Sequence, residues 1–303
     1  MPSSVNGLRS VDFGVTDIKA AAKFYTEIWG LRPVADGKGS IFLRGTGPEH
    51  HILGLHQRDK GELLRVNLSA PSEADVDAIY GVIRQTNLRE VEKPGPITEP
   101  GGGYGFAFQD PEGRTMRVIA GVENHKDTAD NIDRPRKLSH CVLNSNDRDA
   151  GVAFYCKNLG FKLTDRTGGM SFIRANSDHH CVALVKGDAA TLHHVAFEMP
   201  SLDAVMRGGG RMRDNGHPIE WGVGRHGPGN NVFSYFIGPD EMVIEYTAEV
   251  DQVDDTYPVG DPEKWTWPKG RNDRWGINDG PSVRMHDAGK HVAFSPDIFH
   301  PAL

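Results

Sequence analysis

The sequence predicts an α+β protein of two tandem domains, each built from two copies of a β-α-β-β-β module. The first observation is an internal repeat, because short motifs in the first half return about 129 residues later. The second is that 36 glycines and 19 prolines break the chain into short segments, which favours short strands over long helices. The repeated motifs are Phe24-Tyr25 with Phe154-Tyr155, His50-His51 with His179-His180, Pro71-Ser72 with Pro200-Ser201, and Asp110-Pro111-Glu112 with Gly238-Pro239-Asp240.

The repeat sets the predicted domain boundaries. We expect an N-terminal domain over residues 1–123, a charged linker over 124–136, a C-terminal domain over 137–250, and a tail over 251–303. Each module should open with an apolar strand, continue into an amphipathic helix with a polar N-cap, and end in short strands. The first strands are predicted at 8–15, 63–68, 138–143 and 193–198; the helices at 17–29, from Ser72, at 147–159 and from Ser201.

Composition excludes several classes of function. With 38% hydrophobic and 25% charged residues among 303, the chain is typical of a soluble globular protein. Its net charge of -7 argues against nucleic acid or an anionic membrane as the main partner. No apolar run reaches the length of a membrane span, and the N-terminus lacks the pattern of a signal peptide. The three cysteines favour reduced thiols over disulfides or a zinc site, so we expect a cytoplasmic protein.

The repeat also allows the two domains to be compared position by position. Glu245 is a lone carboxylate in the apolar strand 243–246, where burial is costly unless a cation or several donors compensate it. At three aligned positions the C-terminal domain carries a possible metal ligand and the N-terminal domain does not. The aligned pairs are His140 with Ser10, His194 with Arg65, and Glu245 with Arg117. Two histidines and one carboxylate form the facial triad of non-haem Fe(II) oxygenases.

Each of these residues also has a structural reading. A single strand histidine is more often a satisfied core residue than a ligand, and His179 and His193 fit that reading or line the pocket. Tyr235 alone would be a core aromatic, and Glu245 alone an ion-paired strand residue. The joint difference between the domains favours the metal site, and the two arginines of the N-terminal copy would repel a cation.

These motifs resemble the type I extradiol ring-cleaving dioxygenases of the vicinal oxygen chelate superfamily, which include catechol 2,3-dioxygenase, dihydroxybiphenyl dioxygenase and homoprotocatechuate 2,3-dioxygenase. The resemblance covers the whole chain and implies that each pair of modules forms a curved, partly open barrel. The matching segments are Leu138-Ser139-His140, Asp178-His179-His180, His193-His194 with the apolar strand after it, Gly224-Arg225-His226 through Tyr235, and Val243-Ile244-Glu245-Tyr246.

The resemblance also implies roles for these residues. The metal ligands would be His140, His194 and Glu245, and the catalytic residues His180, His226 and Tyr235. Substrate contacts would come from Val142, His193, Arg271 and Arg274, the two arginines holding an acidic substituent unless they are simply solvated. The implied cofactor is Fe(II), with Mn(II) as the alternative, and O2 is the co-substrate. The implied partner is a catechol, cleaved beside its two hydroxylated carbons by a homo-oligomer.

Two other functions stay open at this point. A glyoxalase-like isomerase of the same fold would use four protein ligands, including a second carboxylate, whereas this sequence offers three. A binding protein that sequesters a hydrophobic ligand would not require His140, His194 and Glu245 together.

Overall fold

In the computed structural model, which describes residues 3–88 and 92–301, the chain forms four β-α-β-β-β modules followed by a tail. The strands of the first domain are β1 (Gly7–Val15), β2 (Arg32–Gly37), β3 (Ser40–Arg44), β4 (Leu53–Gln57), β5 (Glu62–Ser69), β6 (Gly95–Pro96), β7 (Tyr104–Gln109) and β8 (Thr115–Ala120). Those of the second are β9 (Lys137–Ser145), β10 (Lys162–Arg166), β11 (Met170–Arg174), β12 (Val182–Lys186), β13 (Thr191–Glu198), β14 (Trp221–Arg225), β15 (Val232–Ile237) and β16 (Val243–Ala248). The tail adds β17 (Val292–Phe294).

The helices begin where the sequence predicts. They are α1 (Ile18–Lys23), α2 (Glu73–Ile83), α3 (Arg148–Leu159), α4 (Leu202–Asp214) and, in the tail, α5 (Val283–Ala288). The side chains of Asp17, Ser72, Asp147 and Ser201 accept backbone N–H bonds at the four module helices. This satisfies donors that a helix start otherwise leaves unpaired.

The first helix differs from its prediction. It is α-helical only to Lys23 and continues as a π-helix over Phe24–Ile28, with Trp29 N–H bonded to the Phe24 carbonyl at 2.9 Å. The wider turn accompanies complete burial of the large side chains of Tyr25 and Trp29. Helical periodicity alone does not reveal this change, because it depends on what the aromatic rings pack against.

The strands of each domain form one curved sheet. The order is β2-β3-β4-β1-β5-β8-β7-β6 in the first domain and β10-β11-β12-β9-β13-β16-β15-β14 in the second. Among the described residues no pairing joins the two outer strands of either sheet, so each barrel stays open. Strand β17 pairs with β5 and with β13 and links the two sheets.

The strand registers confirm the position-by-position equivalence of the two domains. His140 and Glu245 both lie opposite Ala196, and His194 lies opposite Val142. The first domain repeats this arrangement with its own residues, since Ser10 and Arg117 lie opposite Asn67, and Arg65 lies opposite Asp12.

Aromatic side chains join the two domains. Trp29, at the end of the first helix, stacks on Tyr246 of β16 with ring centroids 3.7 Å apart. The Tyr246 hydroxyl donates to the Trp29 carbonyl at 2.6 Å, and most of the buried apolar side chains of both domains belong to one continuous cluster. Within the described part of the chain, no helix has the length and apolar character needed to cross a membrane.

Candidate metal centre and its cavity

Three neighbouring strands of the second domain each direct one polar side chain to the same point. His140 on β9 and His194 on β13 place their Nε2 atoms 3.1 and 3.2 Å from Oε2 of Glu245 on β16. The two Nε2 atoms are 3.4 Å apart, and all three side chains are buried. Their strand positions alternate with core residues, so the period of two along each strand brings all three to one face.

These distances suit a shared metal ion. Three ligand atoms at about 2.1 Å from a metal, at right angles to each other, would be about 3 Å apart. Each histidine also has a partner for its other ring nitrogen, because Nδ1 of His140 lies 3.1 Å from Ser139 Oγ and Nδ1 of His194 lies 2.7 Å from His193 Nδ1. Such outer bonds orient metal-ligating histidines and leave Nε2 free for the metal.

The electrostatics of the three residues also suit a cation. Burial alone would raise the pKa of Glu245, but His140 and His194 outweigh it and hold this pKa well below its usual range. Burial lowers the pKa of His194, which favours the neutral ring that a metal requires. Oxygen Oε1 of Glu245 is buried and has no hydrogen-bond partner among the described residues. A buried, ionised and half-satisfied carboxylate is the arrangement that a bound cation would complete.

The equivalent site of the first domain is closed by internal ion pairs. The Arg65 guanidinium donates to Asp12 at 3.0 Å and to Glu99 at 2.7 Å, and Arg117 donates to Glu99 at 2.8 Å. All four side chains are buried, and the cavity beside them measures about 10 Å³. Two guanidinium groups therefore occupy the place that the second domain leaves for a cation.

His180 lies beside the three convergent groups, as predicted. Its ring centroid is 4.5 Å from that of His140, and it faces the same cavity. Burial, followed by the neighbouring His140 and His179, lowers the pKa of His180 well below its usual value. His180 is therefore a neutral base at physiological pH.

His226 and Tyr235 form a second polar pair at the site. Nε2 of His226 lies 2.9 Å from the Tyr235 hydroxyl and 3.9 Å from Oε1 of Glu245. Burial lowers the pKa of His226 to about 4 and raises the pKa of Tyr235 well above its usual value. Tyr235 therefore keeps its proton, and His226 is neutral and can accept one.

The polar groups open into a cavity of about 280 Å³ with largely apolar and aromatic walls. Val142 and His193, the predicted substrate contacts, lie in its wall. The wall also contains residues that the sequence reasoning did not single out as substrate contacts, which are Thr167, Met170, Phe172, Trp221, Gly227, Pro228, Trp267, Asn272, Pro281, Met285 and His286. Among the described residues of this lining, none is lysine or arginine.

The two tail arginines do not lie in this wall. The Arg274 guanidinium donates to Asn230 at 2.7 Å, and the Arg271 side chain lies against Gly276. Both residues are exposed, and Asn272, which lies between them, faces the cavity instead. Adjacent residues of an irregular segment point in different directions, so their order in the sequence does not reveal which one lines a cavity.

Comparisons with known proteins agree with this architecture. The family model described as Glyoxalase/Bleomycin resistance protein/Dioxygenase superfamily matches residues 7–118 and 137–246. Metapyrocatechase 2 of Cupriavidus necator is 36% identical over 132 residues, a match that spans 42% of this chain and 41% of that protein. Biphenyl-2,3-diol 1,2-dioxygenase of Metapseudomonas furukawaii is 23% identical over 284 residues, covering 86% of this chain and 93% of that protein.

Among solved structures, one described as the Mn(II)-bound glyoxalase from Novosphingobium aromaticivorans superposes with a TM-score of 0.86. It is 37% identical to this chain, and the match covers 93% of this chain and 94% of that one.

Proposed function

The chain belongs to the Glyoxalase/Bleomycin resistance protein/Dioxygenase superfamily, and we propose that it is a metal-dependent extradiol dioxygenase that cleaves a catechol ring beside its two hydroxyl groups. One observation carries the proposal. His140, His194 and Glu245 converge within 4.8 Å of one another at a cavity that also contains three further polar side chains suited to proton transfer. Relatives that are extradiol dioxygenases support the same reaction.

In this proposal His140, His194 and Glu245 would hold the cation beside the cavity. Bound there, Fe(II) or Mn(II) would supply a charge that favours ionised substrate hydroxyls and a path for electrons from the ring to O2. One negative carboxylate with two neutral imidazoles leaves a divalent cation net positive, so the site attracts an ionised catechol.

The remaining polar groups act on protons. Tyr235 stays protonated and donates a hydrogen bond to a substrate oxygen, while neutral His226 accepts a proton from a substrate hydroxyl. His180 lies beside His140 and is the candidate that takes up a proton and returns it to the oxygen that becomes the leaving group. The apolar wall excludes water, which strengthens each of these interactions.

The lining also indicates the class of catechol. Trp221, Trp267, Phe172 and Met285 offer aromatic and apolar contacts to a ring substituent, and the described lining has no lysine or arginine to pair with an acid. We therefore propose a catechol with a neutral, hydrophobic substituent, such as an alkyl or aryl group, rather than one with a carboxylate.

The similarity to a protein described as a glyoxalase makes an isomerase the second candidate. Among the described residues, the group capable of holding a metal contains one carboxylate, Glu245, and two histidines. An isomerase that needs a second carboxylate would have to recruit it from elsewhere. The dioxygenase uses the three ligands as they stand and also uses His180, His226 and Tyr235.

One assay separates the two functions. The full chain is loaded anaerobically with Fe(II) or Mn(II), and metal content is measured. It is then mixed with unsubstituted, 3-alkyl, 3-phenyl and carboxymethyl catechols, or with a hemithioacetal as a glyoxalase substrate, before O2 is admitted. We expect one O2 consumed per catechol, a yellow ring-cleaved product, and a higher kcat/KM for the neutral substituents. A metal-loaded protein that consumes no O2 with any catechol, or that isomerises the hemithioacetal, would refute the proposal.

A further inference from the structure

A buried chain of hydrogen bonds lies behind His180. Nδ1 of His180 is 3.0 Å from Nδ1 of His179, and Nε2 of His179 is 2.7 Å from Oδ2 of Asp165 on β10. Asp165 and His179 are fully buried, so no water competes for these bonds. Neither residue lines the cavity, so any effect on the reaction must act through His180.

The acceptor at the end of this series of hydrogen bonds, Asp165, determines which nitrogen donates in each bond. Oxygen Oδ2 of Asp165 accepts from two groups, the Tyr257 hydroxyl at 3.0 Å and Nε2 of His179. His179 therefore carries its proton on Nε2, and in a neutral ring its Nδ1 must be the acceptor. The proton between the two rings then belongs to Nδ1 of His180. Nε2 of His180 is left with a free lone pair, and it is the only ring nitrogen still available to the cavity.

The first domain lacks this arrangement. His50 and His51 repeat the ring contact, with their Nδ1 atoms 3.1 Å apart. The strand registers, however, place Ala35 where the second domain has Asp165, since Ala35 lies opposite Phe42 as Asp165 lies opposite Phe172. The carboxylate is therefore a fourth difference between the domains, and it occurs in the domain that carries the candidate metal ligands.

The tail encloses the carboxylate. Besides the bond from Tyr257 to the carboxylate, a backbone bond joins the tail to the residue after Asp165. In it, the Arg166 N–H donates to the Gly260 carbonyl at 2.7 Å. A Cβ atom on Gly260 would lie 2.0 Å from Oδ1 of Asp165, so the carboxylate fits only because that position is glycine. The tail thus holds the Asp165 side chain against His179.

We propose that Asp165 and His179 are positioning residues that hold His180 with its proton on Nδ1 and its Nε2 lone pair directed at the substrate. When a substrate O–H bond breaks and its proton forms an N–H bond at Nε2, the bond to His179 is unchanged. The resulting imidazolium is stabilised by the carboxylate through His179, as in other histidine–carboxylate pairs. The inference rests on the proposed function for its chemistry, but the position of the proton can be observed independently.

The first test is the tautomer of His180 in the unmodified protein. The full chain is labelled with 15N-histidine, loaded with diamagnetic Zn(II), and examined by 15N–1H correlation at neutral pH. The His180 signals are assigned by their loss in His180→Gln. We expect Nδ1 protonated and Nε2 unprotonated. A proton on Nε2 of neutral His180 would overturn the inference, whatever the activity of the enzyme.

The second test is Asp165→Asn, which keeps the size of the side chain but allows its amide to donate to His179. Both ring protons should then reverse, placing the proton of His180 on Nε2. We expect kcat to fall on the order of 10²- to 10⁴-fold, with KM and metal content near those of the unmodified protein.

The matched control is His50→Gln, which changes the equivalent histidine of the first domain and should leave kcat unaltered. An Asp165→Asn protein with an unchanged His180 tautomer or an unchanged kcat would contradict the inference. If this variant fails to fold, the His180 tautomer in the spectrum of the unmodified protein decides whether the inference holds. A chain that oxidises no catechol yet shows the expected tautomer would refute the proposed function alone.

Discussion

At the scale of single residues, equivalent strand positions of the two domains carry opposite charges, which are neutralised in different ways. Arg117 in the first domain is neutralised by Glu99, whereas Glu245 in the second domain faces two histidines and has one buried oxygen that no described residue hydrogen-bonds. A buried charge without compensation costs several kcal/mol. Protein groups alone neutralise the buried charge of Arg117, whereas a bound cation would best neutralise the buried charge of Glu245.

The first prediction concerns Glu245 and His180. Glu245→Ala should abolish binding of Fe(II) or Mn(II), because it removes the only anionic ligand of the three. His180→Ala should keep full metal content and lose turnover, because it removes a proton carrier and no ligand. Metal content and thermal unfolding with and without metal measure both effects. A metal at 100 times its Kd should stabilise the unmodified chain and His180→Ala by about 2.7 kcal/mol, and should leave Glu245→Ala unchanged. Full metal occupancy in Glu245→Ala would refute the ligand assignment.

At the scale of elements, the tail completes the cavity. Helix α5 begins at the Ser282 cap and places Met285 against the buried cluster of Phe233 and Tyr235 on β15. Strand β17 then pairs with β13, which carries His194. The tail is therefore attached to the sheet on which the candidate metal centre is built, and its helix forms one wall of the substrate cavity.

The second prediction tests this wall. Met285→Ala should raise KM for a hydrophobic catechol several-fold without changing metal content. A loss of about 1.4 kcal/mol of binding free energy would raise KM about tenfold. The same change should lower the free energy of unfolding by about 2–5 kcal/mol, because it empties a buried position. Steady-state kinetics and urea unfolding measure the two effects.

The control is Met206→Ala, since Met206 on α4 is half exposed and is not part of the lining. It should leave KM unchanged and cost little stability. An unchanged KM in Met285→Ala would show that α5 does not contact the substrate.

At the scale of the whole molecule, the domain without the candidate site supports the domain that has it. Successive residues of β16 point in opposite directions, so Glu245 faces His140 and His194 while Tyr246 faces Trp29 of the first domain. The first domain itself contains buried titratable groups, among them Asp12 and His51. Its stability should therefore depend on pH.

The third prediction concerns that dependence. Burial lowers the pKa of His51 to about 3, against about 6.5 in the unfolded chain. Between these values the unfolded state binds a proton that the folded state does not, so this residue makes the free energy of unfolding fall as pH falls. The expected slope is about 1.4 kcal/mol per pH unit. Asp12, whose pKa is held below its usual range mainly by Arg65 against the effect of burial, acts in the same direction at lower pH.

Urea unfolding from pH 7 to 4, with a chelator present so that metal release does not contribute, measures this slope. His51→Gln should reduce it by about 1.4 kcal/mol per pH unit, and the exposed His291→Gln should not. Equal slopes in the unmodified chain and His51→Gln would contradict the prediction.

From the amino-acid sequence alone, the modular architecture and the convergence of His140, His194 and Glu245 could be predicted. Both follow from local rules, since capping residues mark the helix starts and the repeat aligns Glu245 with Arg117, as the strand registers bear out. The predicted places of His180, His226 and Tyr235 at the site follow from the family resemblance.

The surroundings of those residues, by contrast, could be identified only in the folded chain. The tail has no counterpart in the repeat, so nothing in the sequence indicated that Asn272 and Met285 would face the cavity while Arg271 and Arg274 would not. The bond from His179 to Asp165 likewise joins a loop residue to strand β10, and the first domain has Ala35 at the position of the carboxylate. These contacts depend on how distant segments meet in space, and that is set by packing of the whole chain rather than by any local pattern.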